Sequence, residues 1–249
     1  MNSWSLLKEL RSFFYNDLKY FINENFTSIF INKCKKLDVV EIDRDLAKQL
    51  KQKFLTERLL AQSENNKLTI YQQDVLDFDF SQYESDSSQI RLIGNLPYNI
   101  STPIIFKLLK TLKVIEDMHF MLQKEIVDRL ISVPGSKTYG RLSVMIQYYC
   151  KLRKLIDVPP DAFDPKPKVH SAFVHLVPHK VLPCVANDFA KFELTTRVAF
   201  TKRRKTILNA LKGYVTRTEL EKLNINPVFR PEQLSVSDFV NISNIAKII

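Results

Sequence analysis

Glycine is scarce in this chain, with four residues in 249: Gly94, Gly135, Gly140 and Gly213. The backbone upstream of Gly94 therefore lacks the residue that best tolerates positive φ and close approach to a ligand. Cysteine is rarer still. Cys34, Cys150 and Cys184 lie far apart, match no zinc spacing and leave one over, which excludes a disulfide framework and fits a reducing, cytoplasmic setting. No run approaches the apolar length of a membrane-spanning helix, so no membrane partner is expected. Met1 to Phe30 is interrupted by Lys8, Glu9, Arg11, Asp17, Lys19 and Glu24, and so lacks the apolar core of a signal peptide. His119, His170, His175 and His179 show no metal-ligand spacing; no metal site is expected. Internal repeats and low-complexity tracts are absent as well.

What is present is ordinary globular material, 45% hydrophobic and 26% charged, long enough for one sizeable core and a small annex. Lys and Arg outnumber Asp and Glu by 37 to 27, a net charge of +10 that makes polyanions, nucleic acid first, the leading partner class. Five β-branched or aromatic apolar runs read as strands: Leu37 to Ile42, Leu68 to Gln72, Arg91 to Gly94, Met118 to Gln123 and Ala172 to Val177. Helical patterns lie between them. One covers Asp45 to Phe54; another carries Ile104, Ile105, Leu108 and Leu109 on one stripe, with Thr102 as N-cap and Pro103 at the first helical position. Alternation of this kind predicts an α/β fold with a mostly parallel sheet. After Pro183 only helical spacing remains, so residues 1–182 are expected to form the α/β domain and 183–249 a small all-helical one.

The sharpest motif is Asn95-Leu96-Pro97-Tyr98, between an apolar strand and a helix, which places it at the carboxyl edge of the sheet where open α/β folds bind ligands. Methylation of an exocyclic amine needs such a set. The lone pair of that amine is delocalised into its ring until the two hydrogens are held; the Asn95 amide oxygen and a carbonyl at Leu96 or Pro97 can accept them. Pro97 fixes φ, and Tyr98 offers a face to a base taken out of its stack. A plain strand-to-helix turn is the competing reading of these four residues.

The wider stretch Ile93-Gly-Asn-Leu-Pro-Tyr-Asn-Ile-Ser-Thr-Pro103 closely resembles the KsgA-type ribosomal RNA adenine dimethyltransferases. His119 to Glu125, Tyr139 to Val144, Phe163 to Val169 and Arg203 to Ile207 resemble that family too, so the likeness runs from Leu37 to the C-terminus. It implies a Rossmann-like S-adenosylmethionine-dependent methyltransferase domain followed by a helical domain that binds ribosomal RNA. It further implies that Glu41 meets the cofactor's ribose hydroxyls, that Asp74 meets its adenine amine, and that Phe163 flanks the target adenine. Solvated acids beside a helix entry or a turn remain the alternative for Glu41 and Asp74, and a core aromatic for Phe163. Lys202, Arg203, Arg204 and Lys205, read as opening a helix, would with Lys212 and Arg217 face RNA phosphates. The implied substrate is a pair of adjacent adenines in a hairpin loop near the 3′ end of small-subunit rRNA, met on the immature small subunit by a monomeric enzyme.

Two departures stand out. His170 replaces the family's usual acidic residue after the Lys168-Val169 start, and residues 1–36 lack the Gly-rich loop that approaches the cofactor. The segment from Thr27 matches the family's first helix, whereas Met1 to Asn25 reads either as a truncated or frame-altered copy or as a region that binds the cofactor by other contacts. Weak cofactor binding is expected. The competing functions are a binding-only assembly factor for the small subunit, a macrolide-resistance methyltransferase of the large subunit, and a DNA adenine methyltransferase.

Overall fold

The computed structural model describes residues 36–60, 68–85, 89–163 and 166–247. The expectations for residues 1–35, including Cys34, and for Pro165 lie outside the described residues. The chain runs β1 (Leu37–Glu41), α1 (Arg44–Leu60), β2 (Leu68–Gln72), β3 (Ile90–Asn95), α2 (Ser101–Leu108), β4 (Ile115–Gln123), α3 (Lys124–Leu130), α4 (Arg141–Tyr149), β5 (Cys150–Val158), β6 (Ser171–Pro178), α5 (Phe189–Thr201), α6 (Ile207–Ala210), α7 (Arg217–Lys222) and α8 (Val236–Ile245). All five expected strands form. β5 was not legible because Lys151, Arg153 and Asp157 interrupt its apolar residues. It sits at the end of its sheet, where a charged strand is tolerated and discourages pairing with other chains.

Two compact units result. The first holds the described residues up to Lys124 together with Lys154–Val177; the second holds Glu125–Arg153 with the described part of Pro178–Ile249. In the first, β1 and β2 pair in parallel, while a four-stranded sheet has the order β3-β4-β6-β5, parallel at β3-β4 and antiparallel at β4-β6. Its core joins Leu37 and Val39 of β1, Leu50 and Phe54 of α1, Ile93 of β3, Met121 of β4 and Phe173 of β6. The second unit is larger than the stretch after Pro183, because helices distant in sequence pack together. Tyr139 meets Phe200, which meets Phe239, and Tyr148 lies 4.8 Å from Phe192. Sequence order cannot display such a grouping.

Strand alternation and register put Arg91, Ile93 and Asn95, Asp117, His119 and Met121, and Ser171, Phe173 and His175 on one face of the four-stranded sheet. That face has an apolar part in Ile93, Met121 and Phe173. Its end near the start of β3 is a buried ion cluster in which Arg91 Nη2 lies 3.1 Å from Glu116 Oε1 and 3.2 Å from Asp117 Oδ2. The same Asp117 oxygen is 3.3 Å from His175 Nε2. Burial opposes the charged form of Asp117, but the His175 contact and the charges of His119 and Arg91 outweigh it and hold the carboxyl below its ordinary value. A carboxyl depressed in the fold stabilises it above the unfolded value of about 3.9 and loses that contribution as pH falls through the folded value. Asp117→Asn, which removes the carboxylate from His175 and leaves Arg91 only the half-exposed Glu116, is expected to cost about 1 to 3 kcal/mol at neutral pH. Urea unfolding at neutral pH and near pH ~3 checks this, since the gap between variant and parent must shrink in acid.

Candidate active site

The chain leaves β3 through a turn held by several backbone and side-chain bonds. Leu96 N donates to Met121 O at 3.2 Å, carrying the parallel ladder one residue past the strand. Ile100 N donates to Pro97 O at 3.1 Å. Ser101 Oγ donates to Tyr98 O at 2.9 Å and to Pro97 O at 3.3 Å, and Ser101 is buried. Helix α2 is capped by Ile100 without a side-chain bond, which corrects the expectation of Thr102 as N-cap. The Ser101 hydroxyl stitches the turn instead, and Pro103 occupies the third helical position, where an N–H would find no intrahelical acceptor anyway.

This bonding separates two candidates the sequence left open. The Pro97 carbonyl already accepts twice, whereas among the described residues no donor reaches the Leu96 carbonyl. Leu96 O and the half-buried Asn95 amide therefore stand as adjacent acceptors at the carboxyl end of β3. Tyr98 follows with its side chain 40% exposed and its Oη 3.2 Å from Ser171 Oγ on β6. Gly94 sets the approach to the turn, since a Cβ there would stand 3.1 Å from Leu96 Cδ2 and 3.7 Å from Phe120 Cδ1.

Glu41 and Asp74 both lie at the carboxyl end of the β1-β2 pair. Gln73 N bonds to Glu41 O at 3.1 Å, just past the last register pair Glu41↔Gln72. Each carboxylate has one oxygen engaged locally, Glu41 Oε1 by Asp43 N at 3.0 Å and Asp74 Oδ1 by Leu76 N at 2.8 Å. The second oxygen of each is not used in these turns. A half-buried acid with one oxygen oriented by backbone suits a diol or an amine, so this donor set fits the nucleoside end of S-adenosylmethionine. Phe163 packs, partly buried, against the Leu37–Phe173 core cluster, and its loop is closed by an ion pair between Lys166 and Asp161. His170 is exposed, and its carbonyl accepts Lys124 N at 2.9 Å.

In the second unit, Lys202, Arg203, Arg204 and Lys205 form the loop between α5 and α6 rather than opening a helix. Thr206 takes the N-cap of α6, and Lys202 the C-cap of α5, where the helix dipole favours cations. With Thr201, Asn209 and Lys212 they line an open cavity of about 760 Å³. Arg217 is not part of it and pairs with Glu221 at 3.6 Å. Arg203 differs from its neighbours: its Nη2 donates to Lys137 O at 2.7 Å, and its Nε lies 3.6 Å from Glu232. Lys202, Arg204, Lys205 and Lys212 are exposed.

Asp117, His119 and His175 bring ligand-type atoms within 4.8 Å of one another. The imidazoles, however, are stacked with centroids 4.1 Å apart and planes 14° from parallel. Lone pairs in two nearly parallel planes do not converge on one ion at the roughly 2 Å a metal requires. Arg91 is the cation this cluster holds. The sequence reading missed that cluster, Ser101 and Ser171. Ser101 had a local signal in its spacing from Pro97 and Tyr98; Ser171 had none, because its proximity to Tyr98 depends on strand register.

Comparison with known proteins adds three findings. A profile of the family described as ribosomal RNA adenine dimethylase matches residues 23–247. Proteins named ribosomal RNA small subunit methyltransferase A are similar over most of the chain. The one from Marinomonas sp. (strain MWYL1) is 48% identical over 218 residues, 88% of this chain and 79% of that one; the one from Marinobacter nauticus is 50% identical over 84% and 73%. Among solved structures, a dimethyladenosine transferase from Plasmodium falciparum superposes with a TM-score of 0.76 at 25% identity, covering 93% of this chain and 92% of that one. The 23S rRNA methyltransferase ErmE superposes at 0.69 and 19% identity over 92% and 91%, a likeness of fold.

Gly94→Ala forces Leu96 away from the added methyl and displaces the carbonyl beside Asn95. The expected cost is about 1 to 3 kcal/mol of stability, read by thermal unfolding, with a shifted Leu96 carbonyl in a crystal structure of the variant.

Proposed function

The chain belongs to the ribosomal RNA adenine dimethylase family, and from that premise we infer that Asn95, Leu96 and Tyr98 present an adenine of small-subunit rRNA for methylation at N6. The fold is of the Rossmann-like methyltransferase type, and no described helix is long and apolar enough to cross a membrane. The observation that carries the reading is the pair of adjacent acceptors, Asn95 Oδ1 and the unengaged Leu96 O, at the carboxyl end of β3. Together they accept both hydrogens of the exocyclic amine, which withdraws the lone pair from the ring and directs it away from the two acceptors. Tyr98 lies against one face of the extruded base. Glu41 and Asp74 hold the ribose diol and adenine amine of S-adenosylmethionine, which when bound supplies an electrophilic methyl group. After transfer the nitrogen is acidic enough to give its proton to water, so no side chain with a displaced pKa is needed. Phe163 borders the base pocket from its core-packed position.

The substrate that fits is an unpaired loop adenine, already partly unstacked and cheap to extract, followed by a second adjacent one. We assign the docking of the immature small subunit to Lys202, Arg204, Lys205 and Lys212, whose exposed cations meet phosphates around the cavity of the second unit. Arg203 has a different share, joining Lys137 and Glu232 and so shaping the loop on which the others stand.

Two experiments test this. In transfer of labelled methyl from S-adenosylmethionine to unmethylated small subunits, the parent incorporates label and Asn95→Ala falls by about a hundredfold or more. No label from the parent, with subunit binding kept, would replace the enzyme by a binding-only assembly factor, the reading that the glycine-free N-terminal residues favour. In the second experiment, Arg204→Ala with Lys205→Ala weakens subunit binding across sequences and lowers the slope of log affinity against log salt by about 2, at unchanged melting temperature. Arg203→Ala instead lowers the melting temperature.

A further inference from the structure

We propose that Ser171 is a positioning residue that holds the Tyr98 ring in the orientation needed to receive a base. The inference rests on the reading of Tyr98 as a stacking face and adds a residue that no motif marks. A tyrosine ring turns about two side-chain torsions, and a partly exposed ring in a turn changes rotamer on the ps–ns scale unless something restrains it. Tyr98 is 40% exposed, and its neighbours Pro97 and Asn99 are exposed too, so packing alone restrains it weakly. Among the described residues, the polar contact its side chain makes is the 3.2 Å approach of Oη to Ser171 Oγ.

Ser171 is a rigid anchor. It is 1% exposed, opens β6, pairs in register with Gln123 and follows His170, whose carbonyl is bonded to Lys124 N. The next three residues, Ala172, Phe173 and Val174, are fully buried and apolar. A serine at the head of such a run would be an unpaired hydroxyl without Tyr98, and buried hydroxyls are paired. The contact is made at the phenol oxygen, in the plane of the ring. It fixes the direction of the ring's long axis without itself lying on either face, a restraint that suits a stacking platform and lowers the entropy lost when a base docks.

The test uses a hairpin RNA carrying 2-aminopurine in its loop, whose fluorescence is quenched on stacking, with total RNA affinity measured separately by anisotropy. Tyr98→Ala sets the unstacked reference. Ser171→Ala and Tyr98→Phe each lower the stacking constant about three- to tenfold, as expected for one neutral hydrogen bond. The double variant goes no lower than either single one, while Ser171→Ala alone keeps the parent's total RNA affinity and melting temperature. Ser171→Thr, which keeps the hydroxyl, remains within about twofold of the parent. Three results overturn the proposal: unchanged quenching in Ser171→Ala, additive losses in the double variant, or a parent indistinguishable from Tyr98→Ala. Methyl transfer is read in its own assay, so a chain that stacks the base but transfers no methyl refutes the enzyme reading and leaves the role of Ser171 intact.

Discussion

The bond from Leu96 N to Met121 O is the constraint on which the site depends. It extends the parallel β3-β4 ladder one step beyond the strand, so the first residue of the turn is still fixed by the sheet. Asn95 is thereby followed by a residue still bonded to the sheet, and among the described residues no donor reaches the Leu96 carbonyl. Everything after it is local stitching. Ile100 and the buried Ser101 hydroxyl consume the Pro97 and Tyr98 carbonyls, and helix α2 begins without a side-chain cap. On the proposed reading, a turn whose Pro97 and Tyr98 carbonyls are engaged internally while the Leu96 carbonyl is not is pre-organised for recognition.

Much of this was legible in residues alone. The five strands showed as short β-branched runs, and the turn chemistry of Asn95 to Tyr98 placed the motif between a strand and a helix. What escaped was set by relations across the sequence. β5 carries Lys151, Arg153 and Asp157, and its strand character comes from pairing at the sheet's end rather than from a continuous apolar run. Ser171 and Tyr98 are 73 residues apart and meet only through register. The basic residues at 202–205 were recognisable as a cluster but not as a loop, because the signal that ends α5 and restarts the chain at Thr206 is a single N-cap hydroxyl. Nor does composition separate Arg203, tied to Lys137 and Glu232, from the exposed Arg204 beside it.

Charge is distributed according to solvation. In the first unit, burial is offset by close pairing: Tyr83 donates to Asp38 at 2.7 Å, Lys36 lies 3.2 Å from the same carboxylate, and Arg91 sits between Glu116 and Asp117. In the second unit, exposed cations stand around the cavity; on the proposed reading they meet phosphates, whose binding releases counterions and so responds strongly to salt. One chain thus uses its positive surplus in two ways, as neutralised structure inside and as unneutralised attraction outside.

The buried Arg91–Asp117 pair stands at the far end of the same sheet face from Asn95, four residues along β3. Strand side chains alternate between faces, so a slip of β3 by one residue against β4 would set Leu92 against Asp117, take Arg91 away from Asp117 toward Glu116 and turn Asn95 to the opposite face. A correctly seated Asn95 amide at the carboxyl edge and the Arg91–Asp117 contact at the other end are therefore one alignment event. The ion pair thus reports the register: a chain whose Asn95 faces the wrong way has also lost the Arg91–Asp117 contact.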